Sequence, residues 1–288
     1  MLKLSVITDE VSQDFAKVVQ FARRFELDGL ELRSLWDTPV EELTYEQIQE
    51  IRKHLAGTEL VVSAIASPFL KCDIDDPEAI DRHVKILGRC IEIAEHLGCD
   101  LVRTFTFWDK GALEDHFEQI AGVYERALFL ATRTGVRLAV ENEYTTMVGT
   151  GTELAWFLEK LDSPLARACW DPQNDYIRNR GEKNFREGYE AVKPYIAHVH
   201  LKDARATADG AAVDFEPLGD GEVGVEEQVQ ALVADGYRGF VSLETHWRPD
   251  VLLSGARDLD PDFEIVTQSE YASWVCMKRL RSFVEKYA

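Results

Sequence analysis

The sequence predicts a single-domain (β/α)8 TIM barrel over residues 1–288, and three observations carry that prediction. Short β-prone runs alternate with amphipathic helical stretches along the whole chain, with no repeated hairpin signal between them. The turn after the first run, Thr8-Asp-Glu-Val-Ser-Gln-Asp14, has no glycine, which argues against the phosphate loop of an open dinucleotide-binding sheet. Four later runs, Leu138-Ala-Val-Glu-Asn-Glu-Tyr144, Ala168-Cys-Trp-Asp171, Ile196-Ala-His-Val-His200 and Phe240-Val-Ser-Leu-Glu244, each end in a metal-competent side chain.

Taken in order, the first strand is expected over 2–8, and 14–25 follows with helical periodicity and Asp14 near its start. Residues 28–33 form the second strand and put Glu31 and Arg33 on one face, because strand side chains alternate. A helix over 44–56 begins with Thr44-x-x-Gln47, the pattern of a capping box. The third strand is 61–66, leading through Ser67-Pro68 to a long helix over 77–97. The fourth strand is 100–105, followed by a loop at 108–111 and a helix over 115–134. The fifth begins at Arg137, and Gly149 to Gly151 turns the chain into a helix over 152–161. A sixth strand at 166–171 precedes a helix over 182–192. The seventh strand is 196–201 with a helix at 225–234, the eighth is 239–244, and a helix over 265–287 closes the chain. The glycine-rich loop 217–224 and the mixed segment 246–263 both follow strands, which in a barrel places them at the C-terminal face as lid or substrate-contact segments. The plainer alternatives are a turn for the first and a subunit contact for the second.

With 45% hydrophobic residues, the chain can bury a large core. A formal net charge of −20 repels polyanions, which excludes nucleic acid and an anionic membrane surface as partners and suits a small neutral substrate. The N-terminus lacks the apolar core of a signal peptide and no run approaches transmembrane length, so a cytoplasmic location is expected. Cys72, Cys90, Cys99, Cys169 and Cys276 are odd in number and lack C-x-x-C spacing, so they read as buried free thiols.

The run from Leu138 organises the chemistry. Ala139, Glu141 and Glu143 share one face, and a buried unpaired carboxylate is strongly unfavourable unless a metal ion, a cationic side chain or a substrate hydroxyl relieves it. With strands five to eight adjacent in a barrel, Glu141, Asp171, His200 and Glu244 converge. Their mutual repulsion calls for a divalent ion with open positions, and the oxygen-rich set suits magnesium, manganese or cobalt better than structural zinc. Proton abstraction next to a carbonyl follows, with Glu141 and Glu244 as the natural pair. Each residue also has a plainer reading. A lone glutamate can be a salt-bridge partner, Asp171 before Pro172 a turn residue, His198 and His200 core histidines, and Lys202 and Asp203 a local ion pair. Arg33, Arg103 and Lys202, pointing into the mouth, would bind substrate oxygens or a phosphate; otherwise they pair with Glu31 or Asp203.

On these residues the chain resembles the xylose isomerase-like (β/α)8 family of sugar isomerases and epimerases, which includes hydroxypyruvate isomerase, tagatose and psicose epimerases and inosose dehydratase. The marks are Val140-Glu-Asn142, Trp170-Asp-Pro-Gln-Asn174, His198-Val-His-Leu-Lys-Asp203, Pro217-Leu-Gly-Asp-Gly-Glu-Val223 and Gly236-Tyr-Arg-Gly-Phe-Val-Ser-Leu-Glu244. They span the C-terminal half in order; the N-terminal half matches in its βα rhythm and in Gly29-Leu-Glu-Leu32. The resemblance implies that Glu141, Asp171, His200 and Glu244 hold a divalent metal, with Glu141 and Glu244 also acting as acid and base. It selects His200 over His198 as the ligand. The family's substrate-contacting histidine, three residues after the metal aspartate, is Asn174 here. Where ketose epimerases carry an arginine, this chain has Ala206 with Arg205 beside it.

Asn174, His198, Lys202, Arg205, Arg33 and Arg103 are therefore the candidates for substrate contact. The expected activity is a metal-dependent isomerase or epimerase acting through a metal-bound enediolate on a small keto-sugar or polyol-like substrate. A homo-oligomer is compatible with it. A lyase or dehydratase of the same family would need the same four ligands. A metal-free glycosidase would leave Asp171 and His200 surplus. An apurinic endonuclease would need more histidines and a basic groove, and a non-catalytic sugar-binding barrel would not need all four residues.

Overall fold

The computed structural model describes residues 2–181, 185–207, 212–249 and 263–288. Eight short runs form one parallel sheet: β1 (Lys3–Val6), β2 (Gly29–Leu32), β3 (Val61–Ala66), β4 (Leu101–Thr104), β5 (Arg137–Glu141), β6 (Ala166–Trp170), β7 (Ile196–Leu201) and β8 (Phe240–Leu243). Sequential strands are neighbours from β2 to β8, and β8 pairs with β1. A parallel bridge between Ile7 and Glu31 joins the two remaining edges, so the sheet nearly closes into a barrel. These strands are buried on both faces, as the near-continuous apolar runs of a helix-covered parallel sheet require.

Helices ring the barrel: α1 (Phe15–Arg24), α2 (Tyr45–Leu55), α3 (Pro77–Leu97), α4 (Leu113–Thr132), α5 (Gly151–Leu161), α6 (Pro172–Arg178), α7 (Arg186–Val192), α8 (Val225–Ala234) and α9 (Gln268–Tyr287). Their starts are written in the sequence. Thr44, Thr150 and Thr267 form capping boxes with Gln47, Glu153 and Glu270, and Asp76 caps α3 ahead of Pro77. Phe15, Phe21, Tyr124 and Phe157 are fully buried in the core. All five cysteines are free and buried. Among the described residues no helix is long and apolar enough to cross a membrane.

Several expectations are corrected in detail. The first strand stops at Val6, and Thr8–Val11 forms one helical turn instead. Asp171-Pro172 is a helix start, since Asp171 caps α6 and Pro172 sits where a missing N–H costs nothing. An antiparallel ribbon, Asp203–Ala206 with Val213–Glu216, stands above β7. Residues 182–184 of the helix expected over 182–192, and residues 250–262 of the segment expected as a lid or contact, lie outside the described residues. The loop 217–224 is tied down: the Asp203 carboxylate accepts hydrogen bonds from Gly219 N, Gly221 N and Val223 N at 2.8, 3.1 and 3.3 Å.

Candidate metal and acid-base site

Because β5 to β8 are parallel neighbours, their C-terminal ends lie side by side. Glu141, Asp171, His200 and Glu244 are all buried, and one ligand atom from each lies within 4.8 Å of the others. Asn142 fixes the relation of two of these ends. Its Nδ2 donates to Asp171 O at 2.8 Å, and Asp171 N donates to its Oδ1 at 2.9 Å. Asp171 Oδ1 accepts from Gln173 N and Asn174 N, which leaves Oδ2 free of hydrogen bonds.

Cationic side chains of the protein interleave with these carboxylates. Arg103 Nη1 donates to Glu141 Oε2 at 2.9 Å, Arg33 Nη1 to Glu244 Oε1 at 2.8 Å, and Lys202 Nζ to Glu244 Oε2 at 2.6 Å. Lys202 Nζ also lies 2.6 Å from Asp171 Oδ2, a charge contact without hydrogen-bond geometry. The expectation that Arg33, Arg103 and Lys202 would pair with Glu31 or Asp203 is thereby corrected. Asp203 is occupied by backbone N–H groups, and Glu31 by histidines. The repulsion expected among the carboxylates is likewise answered in part by these cations, so the case for a metal rests on the donors themselves.

Burial alone would raise the Glu141 carboxyl, but His200 and Arg103 hold it below the usual range. Glu244 is held well below by Lys202 and His200 against the same burial. Asp171 goes the other way, because burial, with Glu141 and Glu244 nearby, outweighs Lys202. Burial opposes the charge of Lys202, yet Asp171 and Glu244 hold its ammonium well above the ordinary value.

His200 Nε2 lies 3.0 Å from Glu31, while its Nδ1 has no hydrogen-bond partner and sits 3.4 Å from both Glu141 Oε1 and Glu244 Oε2. A buried imidazole nitrogen without a hydrogen bond, converging with three carboxylates of which Asp171 meets only the Lys202 ammonium through its Oδ2, is a donor set that fits a hard or borderline divalent cation.

Of the expected substrate contacts, Asn174 reaches the cluster, its Nδ2 donating to Glu141 Oε1 at 3.2 Å. Arg33, Arg103 and Lys202 reach it as described above. His198 lies in the barrel interior with Nε2 2.8 Å from Glu31 Oε2. Arg205 is not brought to the cluster; it is half exposed on the ribbon, bonded to Glu222 and to the Asp220 carbonyl. Residues that sequence reasoning did not select also gather here. Glu10 pairs with Arg33 and Arg248 at 2.6 Å each, and His246 Nε2 lies 3.6 Å from Glu244 Oε1. The signal for Glu31 was a carboxylate inside the apolar run Gly29-Leu-Glu-Leu32; Glu10, in a polar turn, gave none. Tyr144, Ile177, Arg180, Ala206, Val213 and Phe215 line a cavity of about 620 Å³. Phe215 packs edge-on against His246 at 5.1 Å, which joins that cavity to the cluster.

A family model described as "Xylose isomerase-like TIM barrel" matches residues 19–268. Inosose dehydratase of Bacillus licheniformis is 28% identical over 135 residues, 42% of this chain and 44% of that protein, so the chain matches under half the length of this curated relative. Among solved structures, the IOLI protein with a bound zinc atom superposes with a TM-score of 0.77 at 17% identity, covering 100% of this chain and 99% of that one. D-allulose 3-epimerase from Methylomonas sp., in complex with D-allulose, gives 0.74 at 17% identity, covering 100% and 97%. At these identities the structural matches establish the fold.

Proposed function

We propose that this chain, which belongs to the xylose isomerase-like TIM-barrel family, is a divalent-metal-dependent isomerase or epimerase of a small keto-sugar or polyol-like sugar. One observation carries the reading: three carboxylates and an imidazole from adjacent strand ends converge, with His200 Nδ1 buried and without a hydrogen bond while Lys202 stands 2.6 Å from Asp171 Oδ2. Glu141, Asp171, His200 and Glu244 would hold the ion, and magnesium, manganese or cobalt suits a set dominated by oxygen. When bound, the ion supplies Lewis-acid polarisation of a carbonyl and its neighbouring hydroxyl.

The remaining work falls to side chains. Glu141 and Glu244 are both kept ionised by the cations beside them, so the resting site holds two bases. One takes the proton next to the carbonyl. For the proton to be returned on the other side, that carboxylate must first receive one from solvent or substrate, because Lys202, 2.6 Å from Glu244 Oε2, holds its own proton too tightly to supply it. Asn174 orients Glu141, and Tyr144 and Phe215 offer ring faces to the apolar side of a sugar. The buried free thiols suit a reducing, cytoplasmic setting.

A lyase is the second reading, because a dehydratase is among the relatives. Elimination would draw on the same pair of carboxylates, one taking the proton next to the carbonyl and, once protonated, the other passing one to the leaving hydroxyl. The test is metal content of the purified protein and of Glu141→Gln, with solvent deuterium uptake into a panel of keto-sugars and inososes. Metal-dependent exchange that the variant loses supports enolisation, and loss of water from the labelled sugar selects the lyase. A protein that takes up no divalent metal when supplied with it sinks both.

A further inference from the structure

We propose that Glu31 is the residue that makes His200 a metal ligand, by holding its imidazole in the one tautomer whose lone pair faces the cluster. The proposal rests on the metal reading above and adds to it a positioning residue on the opposite side of the barrel.

The argument is one of donors and acceptors. Glu31 is fully buried, as are His198 and His200. Its Oε2 lies 2.8 Å from His198 Nε2 and 3.0 Å from His200 Nε2, and its Oε1 lies 3.0 Å from His200 Nε2. An ionised carboxylate only accepts, so both Nε2 atoms must carry a proton. In the metal-free protein burial opposes the charge of His200, yet Cys169, Glu31 and Glu141 hold its imidazolium well above the ordinary range; a metal that displaces the Nδ1 proton leaves an imidazole protonated at Nε2, with its lone pair on Nδ1. In His200 that atom has no hydrogen-bond partner and stands 3.4 Å from Glu141 Oε1 and from Glu244 Oε2. The tautomer demanded by Glu31 is therefore the one that aims a lone pair at the other three ligands. A carboxylate behind a ligand histidine also raises its basicity.

The barrel is built for this contact. Five ladders separate β2 from β7 along the sheet, and two ladders and the Ile7–Glu31 bridge the other way round, yet the Glu31 side chain spans the interior to reach both histidines. A register shift between Leu30 and Glu31 and a second between Ala168 and Cys169 set the heights of the two walls. Replacing Glu31 by Gln keeps the shape but substitutes an amide, whose oxygen accepts and whose NH₂ only donates. With the oxygen at the Oε2 position it reaches both Nε2 atoms, but the NH₂ at the Oε1 position then faces the His200 Nε2–H at 3.0 Å, so Nε2 protonation of both imidazoles is disfavoured.

The experiment titrates Zn²⁺ into metal-stripped wild type and Glu31→Gln by competition with a chelator. It also assigns the ring-nitrogen protonation of His198 and His200 by ¹⁵N NMR in both proteins. Near-UV circular dichroism and thermal melting confirm the fold of the variant, and Glu31→Asp, which keeps the acceptor, replaces it if Gln prevents folding. The expected result is Nε2–H on both wild-type histidines, loss of that state in one of them in Glu31→Gln, and Zn²⁺ binding weakened about 10- to 100-fold. With Glu31→Asp, the expectation is retained Nε2–H on both rings and binding closer to wild type. Unchanged Zn²⁺ affinity in a folded Glu31→Gln protein, or a wild-type His200 unprotonated at Nε2, overturns the proposal. A wild type that binds no Zn²⁺, Mn²⁺ or Mg²⁺ overturns the metal reading instead, and the NMR assignment on the metal-free protein then still decides the tautomer.

Discussion

The two halves of the barrel contribute charge to one site in different proportions. From β5 onward the strand ends deliver Glu141, Asp171 and Glu244, whereas the first half sends in Arg33 and Arg103, which bind the carboxylates of the second. The first half also sends in two acids, Glu10, which pairs with Arg33, and Glu31, which faces the second half through His198 and His200. The first half thus helps to set the charge and orientation of groups that the second half presents. Acidic residues can crowd at one mouth because Arg33 and Arg103 arrive from the far wall and Lys202 from their own.

Breaking the second half should have the largest effect. Glu141→Gln removes one of the two proposed bases, and deuterium exchange into substrate is expected to fall about 10²- to 10⁴-fold. Breaking the first half should act through stability. Arg103→Met leaves Glu141 buried without its cation, and urea unfolding is expected to register a loss of about 3–5 kcal/mol. Saturating divalent metal should restore part of that loss if the site binds it, because the ion replaces the missing charge. An unchanged unfolding midpoint would mean that the two halves are not electrostatically joined.

A smaller effect is expected within the second half. Asn142→Ala leaves the N–H of Asp171 without a partner at the β5–β6 junction and its C=O with Asp175 N alone, about 1–3 kcal/mol for one buried group. Asp175, behind the cluster on α6, gives a pH test of order 2 kcal/mol or less. Burial pushes its carboxyl up to about 6 from an ordinary 3.8, although Gly151 N and Asn179 donate to it. A raised carboxyl pKa contributes stability below about pH 3.8 that is lost as the pH rises through 6. Wild type should therefore lose ground to Asp175→Asn between pH 4 and 7 in urea melts, and parallel curves would refute the shift. The smallest effect belongs to Lys71→Met at the rim. Its partly exposed pair with Glu143 at 3.0 Å should be worth about 1 kcal/mol or less.

How much of this was legible follows from where each contact lies along the chain. The β3, β7, α3 and α8 boundaries follow from apolar runs, a capping aspartate and Pro77, all local signals. The four convergent residues were legible because each ends a strand, and parallel order brings strand ends together. The partners of the cations were not. Arg33 meets Glu244 across 211 positions, and Glu31 meets His198 across 167 and His200 across 169. No periodicity encodes such distances. The helix at Pro172–Arg178 went unassigned because an Asp-Pro pair serves a turn and a helix start alike, and only the following Gln-Asn-Asp-Tyr decides between them. The ribbon at Asp203–Ala206 was missed because its strands are four residues each and partly exposed, so burial imposes little alternation.

The clasp between Asp203 and the loop 217–224 has a consequence for how this chain can diverge. A Cβ on Gly221 would run into the Asp203 carboxylate and the Ala204 carbonyl, and Gly219 holds a φ of +88° beside the Phe283 ring. Gly221 therefore cannot be replaced while Asp203 and the Ala204 carbonyl stay in place, and Asp203 cannot shrink without releasing four N–H groups, that of Ala204 included. Neither single step is neutral, so lineages descending from this sequence should inherit the pair together or lose it together. The loop can lengthen beyond the clasp, but its root is an inheritance that point mutation alone does not easily revise.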